Sequence, residues 1–237
     1  MFYNSEVTYI DKTHQYFDIK TGKQLTSVTT DLKRFVPQFD ENKWSGFKAE
    51  REGVSQYRKK LEWHLLREHG TKKGSYVHEY IEHATQGKYF NKPVPDFIYK
   101  PAMDKCLFLA DKFIDFYRDT YDLVASELIV SNGRIAGQVD NISKKKGNKT
   151  LRSLVEIDIK TDKGIKYENQ YANLLDPYGN MPDTNYSKYQ LQLNTYKKLF
   201  EDKYTGHKIN EMFIVWIYEE NNDFEIIKIP KLKIKHL

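Results

Sequence analysis

The residues best suited to chemistry lie in the stretch Leu154-Val155-Glu156-Ile157-Asp158-Ile159-Lys160-Thr161, where apolar and charged side chains alternate. Period-two alternation with β-branched residues reads as a half-buried strand, with Val155, Ile157 and Ile159 on one face. Glu156, Asp158 and Lys160 share the other. Two carboxylates and an ammonium on one face either turn to water or hold a metal and polarise a bound water. The triplet Asp158-x-Lys160 cannot decide between these. Acid-x-Lys occurs five times in the chain, close to the roughly four that composition alone gives by chance.

Context carries more. Gly137-Gln138-Val139-Asp140 precedes this stretch by one short turn region. If the two segments pair across residues 144–150, Asp140 comes close to Asp158 on one sheet face. Carboxylates that close repel each other in a partly buried place unless a divalent cation sits between them. The plain alternative is an exposed hairpin whose Asp and Lys pair weakly. A third group is His78, which shares a helix face with Ile81 and Glu82 at i, i+3 and i+4. A lone histidine in such a place is more often a packing residue than a ligand.

These groups need elements to hold them. Residues 7–10 and 16–19 read as a β-hairpin, and Thr29 or Thr30 caps a short helix that stops before Pro37. Residues 41–69 form a charged helical region in which Arg51, Arg58, Lys59, Lys60 and Arg67 interleave with Trp44, Phe47, Tyr57 and Trp63. That pattern is either a solvated helical pair with inward aromatics or a basic, aromatic-lined arch for single-stranded nucleic acid. Gly70-Thr71-Lys72-Lys73-Gly74 should break the helix, and Ser75 should start the next one.

Residues 102–121 carry an amphipathic helical pattern. Strands follow at 125–131, 134–143 and 151–161, separated by Asn132-Gly133 and by a lysine run ending at Gly147. Residues 162–186 read as a long loop, 186–202 as a helix, 211–218 as a strand buried on both faces and 224–229 as an edge strand. Helix, three antiparallel strands, helix and two strands imply an α/β fold with one mixed sheet flanked by helices.

At 237 residues the chain suits a single domain with elaborations, and its net charge of +5 permits nucleic-acid binding without requiring it. Cys106 is the only cysteine, which rules out an internal disulfide, a four-cysteine zinc site and an iron–sulfur cluster. A reduced cytoplasmic setting is expected, with no membrane span and no signal peptide.

Taken in order, Gly74-x-x-x-His78-x-x-Ile81-Glu82, Gly137-x-Val139-Asp140, Ile157-Asp158-Ile159-Lys160-Thr161 and Gln192-x-x-x-Tyr196 form a four-part pattern. It resembles the RecB-type branch of the PD-(D/E)XK nuclease superfamily, and within it the stand-alone exonucleases of phages and mitochondria. The resemblance covers roughly residues 70–220. It implies a restriction-endonuclease-like core at 70–237, preceded by an N-terminal hairpin and short helix at 1–40 and an arch-like helical region at 41–69.

It further implies that His78, Asp140, Asp158 and the Ile159 carbonyl ligate one or two Mg²⁺ or Mn²⁺ ions and that Lys160 is the catalytic lysine. Glu127, Glu82 and Glu156 are expected to support the site. Gln192 and Tyr196 are expected to contact DNA, along with Arg51, Arg58, Lys59, Lys60, Trp63, Lys72 and Lys73. The expected substrate is single-stranded DNA or duplex ends, the products carry 5′-phosphates, and the setting is recombination, repair or replication with a protein partner (in the host cytoplasm if phage-encoded). Two alternatives stay open: a structure-specific or restriction-type endonuclease, and a DNA-binding accessory without turnover.

Overall fold

The computed structural model describes residues 2–10, 13–95 and 99–237. The chain begins with β1 (Val7–Ile10), β2 (Gln15–Asp18), β3 (Gln24–Ser27), α1 (Val28–Leu32) and a 3₁₀ turn at Lys33–Phe35. Two helices, α2 (Glu41–Glu52) and α3 (Gln56–Thr85), lead to α4 (Lys100–Thr120). Then come β4 (Tyr121–Ser131), β5 (Ile135–Lys145), β6 (Ser153–Lys160), α5 (Asn185–Lys203), β7 (Lys208–Trp216) and β8 (Glu225–Lys228). The result is the α/β architecture that the pattern implies, a mixed sheet flanked by helices.

The sheet runs β1-β2-β3-β5-β6-β7-β8, with β4 paired to β5. β4, β5 and β6 pair antiparallel as sequential hairpins. The Asn132-Gly133 turn works because Gly133 takes φ +80° and Asn132 Oδ1 accepts from the amides of Arg134 and Ile135. α5 then carries the chain back so that β7 lies parallel to β6.

Two apolar layers cover the sheet. On one side Val77 and Ile81 of α3 and Met103, Leu109, Phe113 and Tyr117 of α4 pack on Val155, Ile157 and Ile159 of β6. Leu191, Leu193, Leu199 and Phe200 of α5 pack with Val28 and Leu32 of α1, Ile142 of β5 and Met212 and Ile214 of β7 in a second cluster. β6 is therefore buried from Leu154 to Ile159. The half-exposed strand expected from its alternation is corrected: the charged face turns inward.

Three other expectations change. Ser27 caps α1 in place of Thr29 or Thr30, its Oγ accepting from Thr30 N at 3.1 Å. The 41–69 region is the helical pair of its two readings, divided where Gly53 ends α2 in the left-handed conformation and Ser55 caps α3. Its Trp44, Phe47 and Tyr57, however, are exposed and not turned inward. Gly70 and Gly74 interrupt nothing, because α3 runs through both as a single helix of 30 residues. Each glycine costs a helix interior only about 1 kcal/mol, which the buried lower half of α3 readily offsets. Among the described residues no helix is long and apolar enough to cross a membrane.

Candidate active site

A fork in the sheet creates the site. β4 pairs along one edge of β5 through residues 136–145. On the opposite edge β3 pairs with Ile135 and Ala136, and β6 pairs with Asn141, Ile142 and Ser143. Residues 137–140 have no ladder partner there, and neither do Asp158, Ile159 and Lys160 on the facing edge of β6. Extending the Asn141–Ile157 register by one step sets Asp140 opposite Asp158. Asp140 closes the gap itself, its Oδ2 accepting from Ile159 N at 3.0 Å.

With no strand in the fork, groups from both covering layers meet in it. His78 reaches in from α3, its Nδ1 3.2 Å from Asp140 Oδ2. Tyr196 reaches in from α5, and a Cβ built on Gly137 would lie 2.3 Å from its ring. Gln192 Nε2 donates to Tyr196 OH at 3.0 Å, fixing both side chains. Gly74 does for α3 what Gly137 does for β5, since its would-be Cβ stands 3.0 Å from Thr161 Oγ1. The glycines of the sequence pattern thus mark two close approaches, one of α5 to β5 and one of α3 to the end of β6.

The electrostatics are those of a coupled buried cluster. Burial raises the Asp158 carboxyl, to about 6, against the pull of the Lys160 ammonium, and the neighbouring Asp140 charge adds to the rise. Burial pushes Asp140 the same way, but His78, Lys160 and the Ile159 amide outweigh it and hold that carboxyl below the usual range. Burial would lower Lys160, yet Asp158 and Asp140 raise it above the ordinary amine value. Lys160 lies against Asp158 Oδ2 as an ion pair.

Around the fork opens a cleft of about 1700 Å³. Small-molecule pockets occupy roughly 300–1,000 Å³, so the cleft has room for a polymer. Its walls are α3, the N-terminal hairpin, the start of α1, the ends of β5 and β6, and α5. Among the described residues, acidic side chains outnumber basic ones along the lining, seven Asp and Glu to five Lys and Arg.

Comparison with known proteins adds little. No family model matches the chain, and no curated protein matches it. Among solved structures, the chain is similar to one described as "Putative exonuclease" from Eubacterium rectale, at 14% identity and a TM-score of 0.38. The match covers 67% of this chain and spans 59% of the length of the other. At that overlap it assigns neither family nor chemistry.

The donor set of the fork suits a hard divalent cation. Two opposed carboxylates and an acidic surplus among the described cleft residues are what such an ion would neutralise. Among the described residues no three His, Cys, Asp or Glu side chains converge as a ready-made cage. His78 turns to Asp140, and Asp158 turns to Lys160.

The remaining expected residues fall into distinct places. Glu82 and Glu127 line the cleft, and Glu127 sits in the left-handed region at φ 50°. Glu156 is fully buried away from the lining, and neither of its oxygens has a hydrogen-bond partner. Arg51, Arg58, Lys59, Lys60, Trp63 and Lys72 do not line the cleft.

Lys59 instead bridges Glu52 at 2.5 Å and Glu62 at 2.7 Å, tying α2 to α3. Lys60 bonds Asn42, and Trp63 packs on Phe39. Lys73 lines the cleft but is buried and paired with Glu219 at 2.5 Å. From the upper half of α3, Leu66 and Arg67 face the cleft.

Asp162 and Tyr189 are among the cleft residues that went unsuspected in the sequence. Both leave a trace there. Asp162 continues the period-two series of 156, 158 and 160, and Tyr189 precedes Gln192 and Tyr196 at helical spacing.

Proposed function

We propose that this chain is a metal-dependent nuclease that hydrolyses DNA phosphodiesters from ends or single strands, in recombination, repair or replication. One observation carries the reading. Asp140 and Asp158 are opposed at the fork beside Lys160, inside a cleft sized for a polymer. Asp140 and Asp158, with the Ile159 carbonyl and His78, are the groups that would hold Mg²⁺ or Mn²⁺, which when bound neutralises phosphoryl charge and acidifies a water.

The side chains have separable duties. Lys160 is held as a cation by Asp158 and Asp140, so it orients the attacking water and stabilises developing negative charge instead of accepting a proton. Asp140 fixes the end of β6 through Ile159 N and holds His78 in place. Gln192 and Tyr196 form a bonded pair on α5: the Tyr196 ring is buried against Gly137 and steadies Gln192, whose amide meets the strand being cut. Products with 5′-phosphates follow the resemblance in the sequence.

Asp158→Ala and Lys160→Ala should each lower Mg²⁺-dependent cleavage by at least ~10³-fold, the scale of losing a principal electrostatic group. Labelled single- and double-stranded DNA digested with Mg²⁺, Mn²⁺ or EDTA tests this, and undiminished cleavage by either folded variant would sink the assignment. Binding without cleavage by the wild type would favour the non-catalytic accessory. Cutting of closed circular duplex would favour an endonuclease.

Exposed Trp44, Phe47, Tyr57 and Leu61 on α2 and the upper half of α3 support a further element of this proposal, an arch that threads a single strand. Linear single strands should then be cut much faster than circles. Equal rates on both would count against threading.

A further inference from the structure

Lys160 has a second partner besides Asp158. Its Nζ lies 5.0 Å from the centroid of the Tyr189 ring. The Tyr189 hydroxyl in turn bonds Asp162 Oδ2, and the backbone carbonyl of Asp162 accepts from Trp216 Nε1 at 2.8 Å. Trp216 is the residue paired with Lys160 across β6 and β7. The contacts therefore close a loop: Lys160, Tyr189 on α5, Asp162 just past the end of β6, Trp216 on β7, and back to Lys160.

Such a loop answers a physical problem. A lysine side chain has four rotatable bonds and a compact charge, so it adopts many positions unless held. Asp158, against which the ammonium already lies, holds it from one side only. An aromatic face attracts a cation without neutralising it, and it exerts that pull from the α5 side. Tyr189 can do so only if its ring is itself fixed, and the Asp162 bond fixes it.

We propose that Tyr189 is a positioning residue: its ring, anchored through Asp162, fixes the Lys160 ammonium from the α5 side, opposite the hold of Asp158. This rests on the nuclease reading for its purpose, but not for its geometry. Asp162 acts through Tyr189 and Trp216.

Two measurements test it on the full chain. The first is independent of activity. In a ¹³C-lysine-labelled protein, with Lys160→Arg identifying the signal, the Lys160 ε-protons should be displaced upfield by the ring current of Tyr189. That displacement should shrink in Tyr189→Phe, which keeps the ring but loses the Asp162 bond, and vanish in Tyr189→Leu, which keeps neither.

The second is kinetic. Tyr189→Leu should lower kcat by about 10- to 100-fold, the scale of a misplaced reacting group, with KM changed by no more than about twofold. Tyr189→Phe, with the ring but without its anchor, should fall between the wild type and Tyr189→Leu in kcat. Absence of the upfield displacement in the wild type, or its survival in Tyr189→Leu, would overturn the proposal. Equal kcat values for the Leu and Phe variants would overturn it as well. Failure of the wild type to cleave any nucleic acid would instead overturn the nuclease reading.

Discussion

A methyl group added at Gly137 would meet Tyr196 Cε1 at 2.3 Å and Val28 Cγ2 at 3.0 Å. The residue is a glycine because a ring from α5 occupies the space above it. Gly137→Ala should therefore destabilise the fold by about 1–3 kcal/mol, as overpacked substitutions do. For a chain of this size that is a melting shift of roughly 2–4 °C per kcal/mol. Activity should fall further than stability, since Tyr196 and its partner Gln192 must move. Calorimetry and cleavage assays on the same preparation separate the two effects. The residue scale also shows where the sequence was mute: Glu156 and Asp158 are two positions apart on one face, yet only Asp158 lines the cleft.

α3 is the element the sequence misrepresents most. Its glycines suggest a break, but the helix is continuous, and the two positions differ in kind. Gly70 has nothing within 4 Å of its would-be Cβ, whereas at Gly74 that Cβ stands 3.0 Å from Thr161 Oγ1. Gly70→Ala should thus stabilise the protein by about 0.5–1 kcal/mol, the helix-propensity gain. Gly74→Ala should lose that gain against Thr161 and weaken catalysis by displacing α3, and His78 with it, from the end of β6. Urea titrations of the two variants should move in opposite directions relative to each other; equal stabilisation would refute the distinction. α5 was legible from its helical periodicity and β7 from its continuous apolar run, because both signals are local to the element.

Across the whole molecule, the C-terminal segment fastens distant parts together. The His236 carbonyl accepts from Arg34 at 3.4 Å and from Arg134 at 2.9 Å. Its imidazole meets Tyr178 OH at 2.7 Å, while Leu232 N donates to Asn194 on α5. Burial lowers the His236 pKa below its ordinary value, and Arg34 and Arg134 push the same way against Asp31. The folded state therefore binds the proton less readily than the unfolded chain.

The stability this contributes is present above the unfolded value of about 6.5. It is lost as pH falls through the lower folded value. Hydrogen exchange should show residues 232–237 loosening as pH drops from about 7 toward 5, and His236→Asn should flatten that dependence. An unchanged pH profile in the variant would rule out His236 as its source.

The sequence by itself determined the fold class, most of the strands and helices, and the pairing that sets Asp140 beside Asp158. Those features rest on local periodicity and on one hairpin register, both of which are short-range. It also supplied His78, Lys160, Gln192 and Tyr196 as a set, through their order along the chain. Only the tertiary structure decided that the charged face of β6 is buried and that most of the basic residues of α2 and upper α3 lie off the cleft. It alone joined Tyr189 and Asp162 to Lys160. The reason is the fork: where β3 and β6 part along β5, side chains from both helical layers meet, and no local pattern encodes a gap between strands more than a hundred residues apart.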